Sequence, residues 1–130
     1  MVFGISYMDK KIKSFSDLDA WQEAHRLVIM IYRITKYFPQ EEIFGLTNQM
    51  RRAVISISSN IAEGFSRETD KDKKRFYVIA KGSLIELQNQ LVAARDIGYL
   101  SIKNFDLAAK QSIRVHMLIN GLIRKVTNEK

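Results

Sequence analysis

Apolar residues recur every three or four positions along four stretches of this 130-residue chain, which is the spacing of one face of an α-helix. The alternation of threes and fours is typical of the seam between helices packed with a left-handed crossing. The expected core positions are Leu18, Trp21, Ala24, Val28, Ile31, Thr35 and Phe38; Leu46, Met50, Ala53, Ile57 and Ile61; Tyr77, Ala80, Leu84, Leu87, Leu91 and Ala94; and Phe105, Ala108, Ser112, Val115, Ile119, Leu122 and Val126.

Capping residues delimit these four stretches and predict helices over about 16–38, 47–64, 70–97 and 102–127. The residues expected to begin or end them are Ser16 or Asp17, Pro39, Thr47, Gly64, Thr69 with Asp72, Gly98 and Ser101. Short loops between long helices predict an all-α fold, an elongated antiparallel up-down-up-down four-helix bundle. We expect one domain over 15–127, preceded by a flexible tail at 1–14.

The composition supports an all-α protein and excludes several kinds of chemistry. There is no Cys, which excludes disulfides, thiol catalysis and Cys-ligated metal, and a single Pro leaves few places to break a helix. No apolar run approaches the ~20 residues that a bilayer crossing needs, so we expect neither a membrane span nor a secreted protein. The cytoplasm is the expected compartment.

The second predicted helix has small residues on the side that would face water, and only three charges between Thr47 and Gly64. A helix that is apolar or small all round is usually buried all round, so we expect this face to pack against another copy of the protein. Three β-branched residues recur every seven positions on the outer side of the third helix. Scattered exposed apolar residues are the alternative interpretation. The expected oligomer-interface residues are Ile55, Ser58, Ala62, Val78, Ile85 and Val92.

The chain is basic, with 21 Lys and Arg against 14 Asp and Glu and a formal charge of +7. Two groups of cations are candidates for binding nucleic acid. The first lies opposite the core face of the fourth helix with no acidic residue among its members, and consists of Lys103, Lys110, Arg114 and Lys125. The second lies around the start of the third helix, where exposed backbone N–H groups also attract anions, and consists of Arg67, Lys71, Lys74 and Arg75. A solvated face or an interface rim are the alternatives for the first group.

No pattern of catalytic or metal-binding residues is visible, so we expect no enzyme activity, no cofactor and no metal. The only histidines, His25 and His116, lie on different helices and lack a carboxylate at metal-ligand spacing. Asn60 borders the core, and Glu63 lies in the last helical turn, where the helix dipole opposes its charge. We therefore predict that both are hydrogen-bonded. The candidate cations for Glu63 are Arg52, Arg67 or an arginine of another helix or subunit.

Four sequence blocks resemble the family of small bacterial four-helix-bundle proteins first found in intervening sequences of 23S rRNA genes. The blocks are FSDLDAWQEAHRL, FPQEEIFGLTNQMRRAVISISSNIAEGFSR, FYVIAKGSLIELQNQL and the IGYL turn, and they cover about residues 15–100. The resemblance implies a homopentameric ring and extends to the accessory protein of diversity-generating retroelements, a basic pentamer that binds nucleic acid and a reverse transcriptase. The structural positions it implies are Trp21, Leu46, Gln49, Arg52, Ala53, Ser56, Asn60, Ile61, Glu63 and Gly64.

Taken together, the residues and the resemblance predict a non-enzymatic homo-oligomer, a pentamer on the resemblance, that binds nucleic acid through basic surface. RNA is the expected ligand, with little sequence specificity, because phosphate contacts carry no base information. The alternative is a protein-interaction scaffold that docks an acidic partner such as a reverse transcriptase or a ribosomal component.

Overall fold

The computed structural model describes residues 11–127, which form four α-helices and two 3₁₀ turns. The all-α four-helix fold predicted from the sequence is confirmed. The expected tail at 1–14 lies mostly outside the described residues. The helices are α1 (Asp19–Thr35), α2 (Leu46–Ser66), α3 (Asp70–Ile97) and α4 (Ile102–Thr127), and the 3₁₀ turns are Phe15–Asp17 and Gln40–Glu42.

Helix α1 is shorter at both ends than the predicted segment 16–38. Asp17 does not cap α1, because it is buried in the preceding turn, where its Oδ2 accepts the backbone N–H of Lys13 at 2.9 Å. The helix ends at Thr35, and Phe38 lies beyond it with its side chain buried in the core. Local hydrogen bonding at one end and tertiary packing at the other thus decide where α1 stops, although the apolar spacing continues.

Helix α2 also departs from its predicted limits, because the two residues expected to bound it have other roles. Thr47, the expected N-cap, is buried inside the first turn, and Glu42 Oε1 instead accepts the first backbone N–H of the helix at 3.0 Å. Gly64, expected in a left-handed conformation after the helix, lies within it. A Cβ at Gly64 would be 2.6 Å from Cε1 of Tyr77. Glycine is therefore needed there for the close approach of α3.

The ends of α3 and the start of α4 follow the capping rules. Thr69 Oγ1 accepts the backbone N–H of Asp72 at 3.1 Å, and Gly98 ends α3 with φ of 101°. The Ser101 hydroxyl accepts the backbone N–H of Asn104 at 3.1 Å at the start of α4. These sites are determined locally, so the sequence identified them correctly.

The four helices pack in a ring, in which α1 lies beside α2 and α4, and α3 lies beside the same two helices. Because each helix contacts two neighbours, its buried face is wider than a single stripe, and Leu27 and Val54 are fully buried although the sequence analysis did not include them. The largest side chains at the centre are Leu27, Ile31, Met50, Ile57, Ile61, Leu84, Leu87, Leu91 and Ile119.

Side-chain hydrogen bonds join the neighbouring helices. Gln88 Nε2 of α3 donates to the Ser112 hydroxyl of α4 at 3.1 Å, and the Arg95 guanidinium lies 4.5 Å from the ring centroid of Phe105. From the first pair to the second, the residue number rises along α3 and falls along α4, which is the register of antiparallel neighbours. The alternation of all four helices, the elongation and the left-handed packing stay predictions.

One polar contact closes the end of the bundle where the α1–α2 and α3–α4 connections meet. The Tyr99 hydroxyl donates to Glu42 Oε2 at 2.8 Å, while Oε1 of the same carboxylate caps α2. The backbone N–H of Leu46 and then the Tyr99 hydroxyl lower the pKa of Glu42, because both hydrogen bonds favour the ionised carboxylate. The same bond raises the pKa of Tyr99. Glu42 therefore serves two connections at once.

Candidate binding surfaces

The two polar residues near the end of α2 are hydrogen-bonded, as predicted. Asn60 Nδ2 donates to the carbonyl oxygen of Ser56 at 2.8 Å, and Glu63 Oε2 accepts from Arg67 Nη2 at 2.6 Å. The ion pair is largely exposed, so it contributes at most about 1 kcal/mol. Arg52, the other candidate partner, is exposed and makes no hydrogen bond or ion pair within residues 11–127. Asn60 and Glu63 therefore both have a structural role near the C-terminal end of α2.

The predicted basic group at the start of α3 is organised around an aromatic ring. The Arg67 and Arg75 guanidinium carbons lie 4.6 and 4.7 Å from the ring centroid of Phe76. Lys71 is exposed and Lys74 is half-buried. Because the Glu63 carboxylate compensates part of the charge of Arg67, the other three cations are the more available to an anion.

The basic ridge of α4 is less purely basic than expected. Lys103, Lys110 and Lys125 are exposed, but Arg114 Nε lies 3.2 Å from Oε1 of Glu23 on α1. The sequence analysis also overlooked Asp106, which is exposed and lies three residues after Lys103 and four before Lys110, on the same side of α4. The expectation of a ridge without acidic neighbours was therefore wrong.

The residues predicted to form the oligomer interface do not form one continuous surface. Four of them are between 40% and 50% exposed, namely Ile55, Val78, Ile85 and Val92. Scattered apolar residues with this exposure are common on the surface of a single chain. Ser58, however, is buried within the chain, and its hydroxyl donates to the Ile55 carbonyl oxygen at 3.2 Å. The prediction that Ser58 lies on the outer face of α2 was wrong. Ala62 is half-buried.

Val92 belongs to a groove between α3 and α4, which we call the apolar groove. Its volume is 190 Å³, and Ile113 on the opposite wall is 55% exposed. Ile55 instead lines a cleft beside Tyr32 and Ile43, on the α1–α2 side. In a ring of four helices those two sides are opposite each other. The residues that line the apolar groove are Gln88, Leu91, Val92, Phe105, Ala109, Ser112 and Ile113.

A third surface, absent from the sequence analysis, lies between α1 and α2 and is rich in cations. We call it the cationic groove, and it is lined by Ile29, Tyr32, Arg33, Lys36 and Arg51, with a volume of 370 Å³. The only sequence signal was Arg33 and Lys36 at a spacing of three, which places them on one side of α1. Arg51 joins them only in the fold.

Arg51 is held in place at the cationic groove by two helices. Its Nε donates to the Thr35 hydroxyl of α1 at 2.9 Å, and its guanidinium carbon lies 4.8 Å from the ring centroid of Tyr32. Its Nη2 also points to the Tyr32 carbonyl oxygen near the C-terminal end of α1, where the helix dipole favours a cation. The guanidinium is therefore oriented before any ligand arrives.

The described residues contain little that suggests catalysis. Within residues 11–127 no group of three or more His, Asp or Glu side chains is arranged to hold a metal ion. The His25 ring stacks on Trp21 with ring centroids 4.8 Å apart, and we see no pairing of either His with a nucleophile in that part of the chain. No helix of the described segment is both long and apolar enough to cross a membrane.

The fold and surfaces define a class of small helical-bundle proteins whose candidate sites are open grooves and exposed faces. The sequence profile of the 23S rRNA-intervening sequence protein family matches residues 16–121, and the chain belongs to this family. No protein with a curated description matches the sequence.

The fold is also similar to a crystal structure of a protein of unknown function from the S23 ribosomal protein family of Bacteroides thetaiotaomicron. The TM-score is 0.75 at 19% sequence identity, and the alignment covers 81% of this chain and 95% of the other. At that identity the likeness establishes the fold alone.

Proposed function

We propose that this protein is a non-enzymatic homo-oligomer, a pentameric ring, that binds nucleic acid, RNA in the first place, with little sequence specificity. The observation that carries the proposal is the exposure of apolar residues on two opposite sides of the single chain. Val92 and Ile113 lie open on the α3–α4 side, and Ile55 lies open on the α1–α2 side, where Arg51 and Arg52 line the same cleft.

Opposite apolar surfaces suit a closed ring better than a two-fold dimer. In a ring, one side of each copy packs against the different, opposite side of the next copy, whereas a two-fold dimer uses the same patch twice. The α3–α4 side, with Val78, Ile85 and Val92, would meet Ile55 and Ala62 of α2 in the next copy.

Assembly would multiply the positive surface. A net charge of +7 on each chain would be repeated by every subunit, and a polyanion touching several subunits would release a counterion at each neutralised phosphate. The available cations of the predicted groups are Lys71, Lys74, Arg75, Lys103, Lys110 and Lys125. Contacts of this kind bind phosphate groups. Because the phosphates are the same in every sequence, such contacts support low sequence specificity.

Two measurements on the full chain test the proposal. Light scattering after gel filtration should give the mass of an oligomer, and fluorescence anisotropy with labelled RNA and DNA of several sequences should show similar affinities that fall steeply with salt. A stable single chain, or an oligomer without affinity for nucleic acid at about 50 mM salt, would contradict it. Capture of one acidic protein that survives nuclease treatment would favour the scaffold alternative.

A further inference from the structure

The cationic groove is lined by three cations and by no carboxylate. Arg33, Lys36 and Arg51 line it, and none of them has an acidic partner within residues 11–127. Of the two acidic residues that follow α1, Glu42 is hydrogen-bonded to Tyr99 and Leu46 at the end of the bundle, and neither Glu41 nor Glu42 lines the groove. The groove therefore favours an anionic ligand.

An aromatic ring in the lining of the groove indicates which anion it suits. The Tyr32 side chain lines the groove and is 41% exposed, with Arg51 on one side of its ring. Tyr37, directly after Lys36, is 84% exposed. A free phosphate has no flat group to place against an aromatic ring, whereas an unstacked base binds to such a ring by its flat face.

We propose that the cationic groove binds single-stranded nucleic acid, with phosphates at Arg33, Lys36 and Arg51 and a base against the Tyr32 ring. In a duplex the bases are stacked on one another, so only a single strand can offer a base to tyrosine. This inference rests on the proposed function and gives it a location and a strand preference. It contains none of the residues of the two predicted basic groups, and it adjoins the cleft of Ile55, with which it shares Tyr32 and Arg51.

The orientation of Arg51 supports this role. Its hydrogen bond to Thr35 and its contact with Tyr32 fix the guanidinium, so less side-chain freedom is lost when a phosphate binds. Arg33 and Lys36 are exposed and can adapt to the path of the strand. A fixed arginine and tyrosine beside two adaptable cations match a site that holds a strand without reading its sequence.

The test compares two double variants of equal charge in the full chain. Arg33→Gln with Lys36→Gln removes two cations from the groove, and Lys103→Gln with Lys110→Gln removes two from α4. Fluorescence anisotropy is measured over a series of salt concentrations with a labelled single-stranded oligothymidylate of about 20 nucleotides and a labelled duplex of about 20 base pairs. We expect the groove variant to bind the strand at least about tenfold more weakly, with a salt slope reduced by about 1.4, and the α4 variant to lose several-fold less.

A third variant, Tyr32→Leu, tests the base contact while keeping an apolar side chain. It should weaken binding of the single strand by roughly five- to a hundredfold and binding of the duplex by less than about twofold. Equal losses for strand and duplex, or equal losses for the groove and α4 double variants, would overturn the inference. If the unmodified protein binds no nucleic acid, the proposed function fails as well. If it binds normally and only the groove variants have no effect, the location alone is wrong. Circular dichroism on each variant checks folding.

Discussion

The two sides of the bundle differ in what they offer to a partner. The apolar groove between α3 and α4 is walled by aliphatic side chains such as Val92 and Ile113. The cationic groove between α1 and α2 instead has a partly exposed tyrosine and three cations without an acidic partner in the described part of the chain. Each side is built from two helices with the same core spacing. The difference therefore lies entirely in the outward positions.

Outward positions can specialise because the core does not depend on them. The inner face of α3 is buried from Tyr77 to Ala94, while its outer residues Val78, Ile85 and Val92 make no contribution to that core. A bundle can thus keep one fold and use different outward residues for assembly and for ligand binding. Four experiments test the roles of these outward positions and of the contacts that hold the helices in place.

The largest expected effect comes from charging the apolar side. The double variant Ile85→Asp with Val92→Asp would place two carboxylates in the proposed contact between copies, where each would have to lose its water. We expect the oligomer to dissociate to single chains, a loss of at least about 3–5 kcal/mol per contact, measured by light scattering. Leu107→Asp, at an exposed apolar position of α4 that lines neither groove nor the cleft of Ile55, is the control and should leave the oligomer intact. If the double variant still forms the oligomer, the α3–α4 side is not the contact between copies.

A second substitution tests the spacing that keeps the two sides apart. Gly64→Ala should destabilise the fold by about 1–3 kcal/mol, because its Cβ would lie 2.6 Å from the buried Tyr77 ring and force α2 and α3 to move. Gly82→Ala is the matched control. With nothing within 4 Å of its Cβ, it should stabilise α3 by about 0.5–1 kcal/mol. Chemical denaturation measures the free energy of unfolding of both variants. A change of the same sign in the two variants would contradict the close approach of α3 to Gly64.

Arg51 and Arg52 separate a cation that the fold uses from one that it does not. Arg51→Ala loses the hydrogen bond to Thr35 and should cost about 1 kcal/mol of unfolding free energy. Arg52→Ala, next to it on an exposed position, should change the stability by less than about 0.5 kcal/mol. Thermal melts of the two variants give the difference. Equal values would mean that Arg51 is as free as its neighbour.

The smallest expected effect concerns the hydrogen bond between Tyr99 and Glu42, which joins the α1–α2 and α3–α4 connections at one end of the bundle. Because the folded pKa of Glu42 is lowered, its contribution to stability is present above the ordinary value of 4.5 and is lost as the pH falls through the lowered value. Tyr99→Phe removes the hydroxyl that donates to this carboxylate. The Tm gap between wild type and Tyr99→Phe should therefore narrow in acid. A gap that stays constant from neutral pH to well below 4.5 would show that the bond is not coupled to ionisation of Glu42.

Sequence reasoning succeeded where a structural feature is decided within a few residues. The Thr69 and Ser101 caps, the left-handed Gly98 and the buried repeat of α3 all depend on neighbours one turn away. It failed at Gly64, where a glycine that looks like a helix end instead admits Tyr77 of another helix. The local pattern is the same for both roles, so only the partner distinguishes them.

The candidate surfaces show the same limit. Exposure of Val78, Ile85 and Val92 could be predicted from a heptad, but their position away from Ile55 depends on which helix lies on each side of α3. The pairing of Arg114 with Glu23 and the approach of Arg51 to Tyr32 join residues far apart in the chain. No spacing rule connects such pairs.

The sequence by itself determined that the chain forms four helices with one buried face each, because apolar periodicity and caps act over one or two turns. Only the tertiary structure decided which outward residues share a surface, because that depends on the order of the helices around the core and on their rotation. The cationic groove exists for that reason: its tyrosine and two of its cations come from α1, and the third cation reaches them from α2.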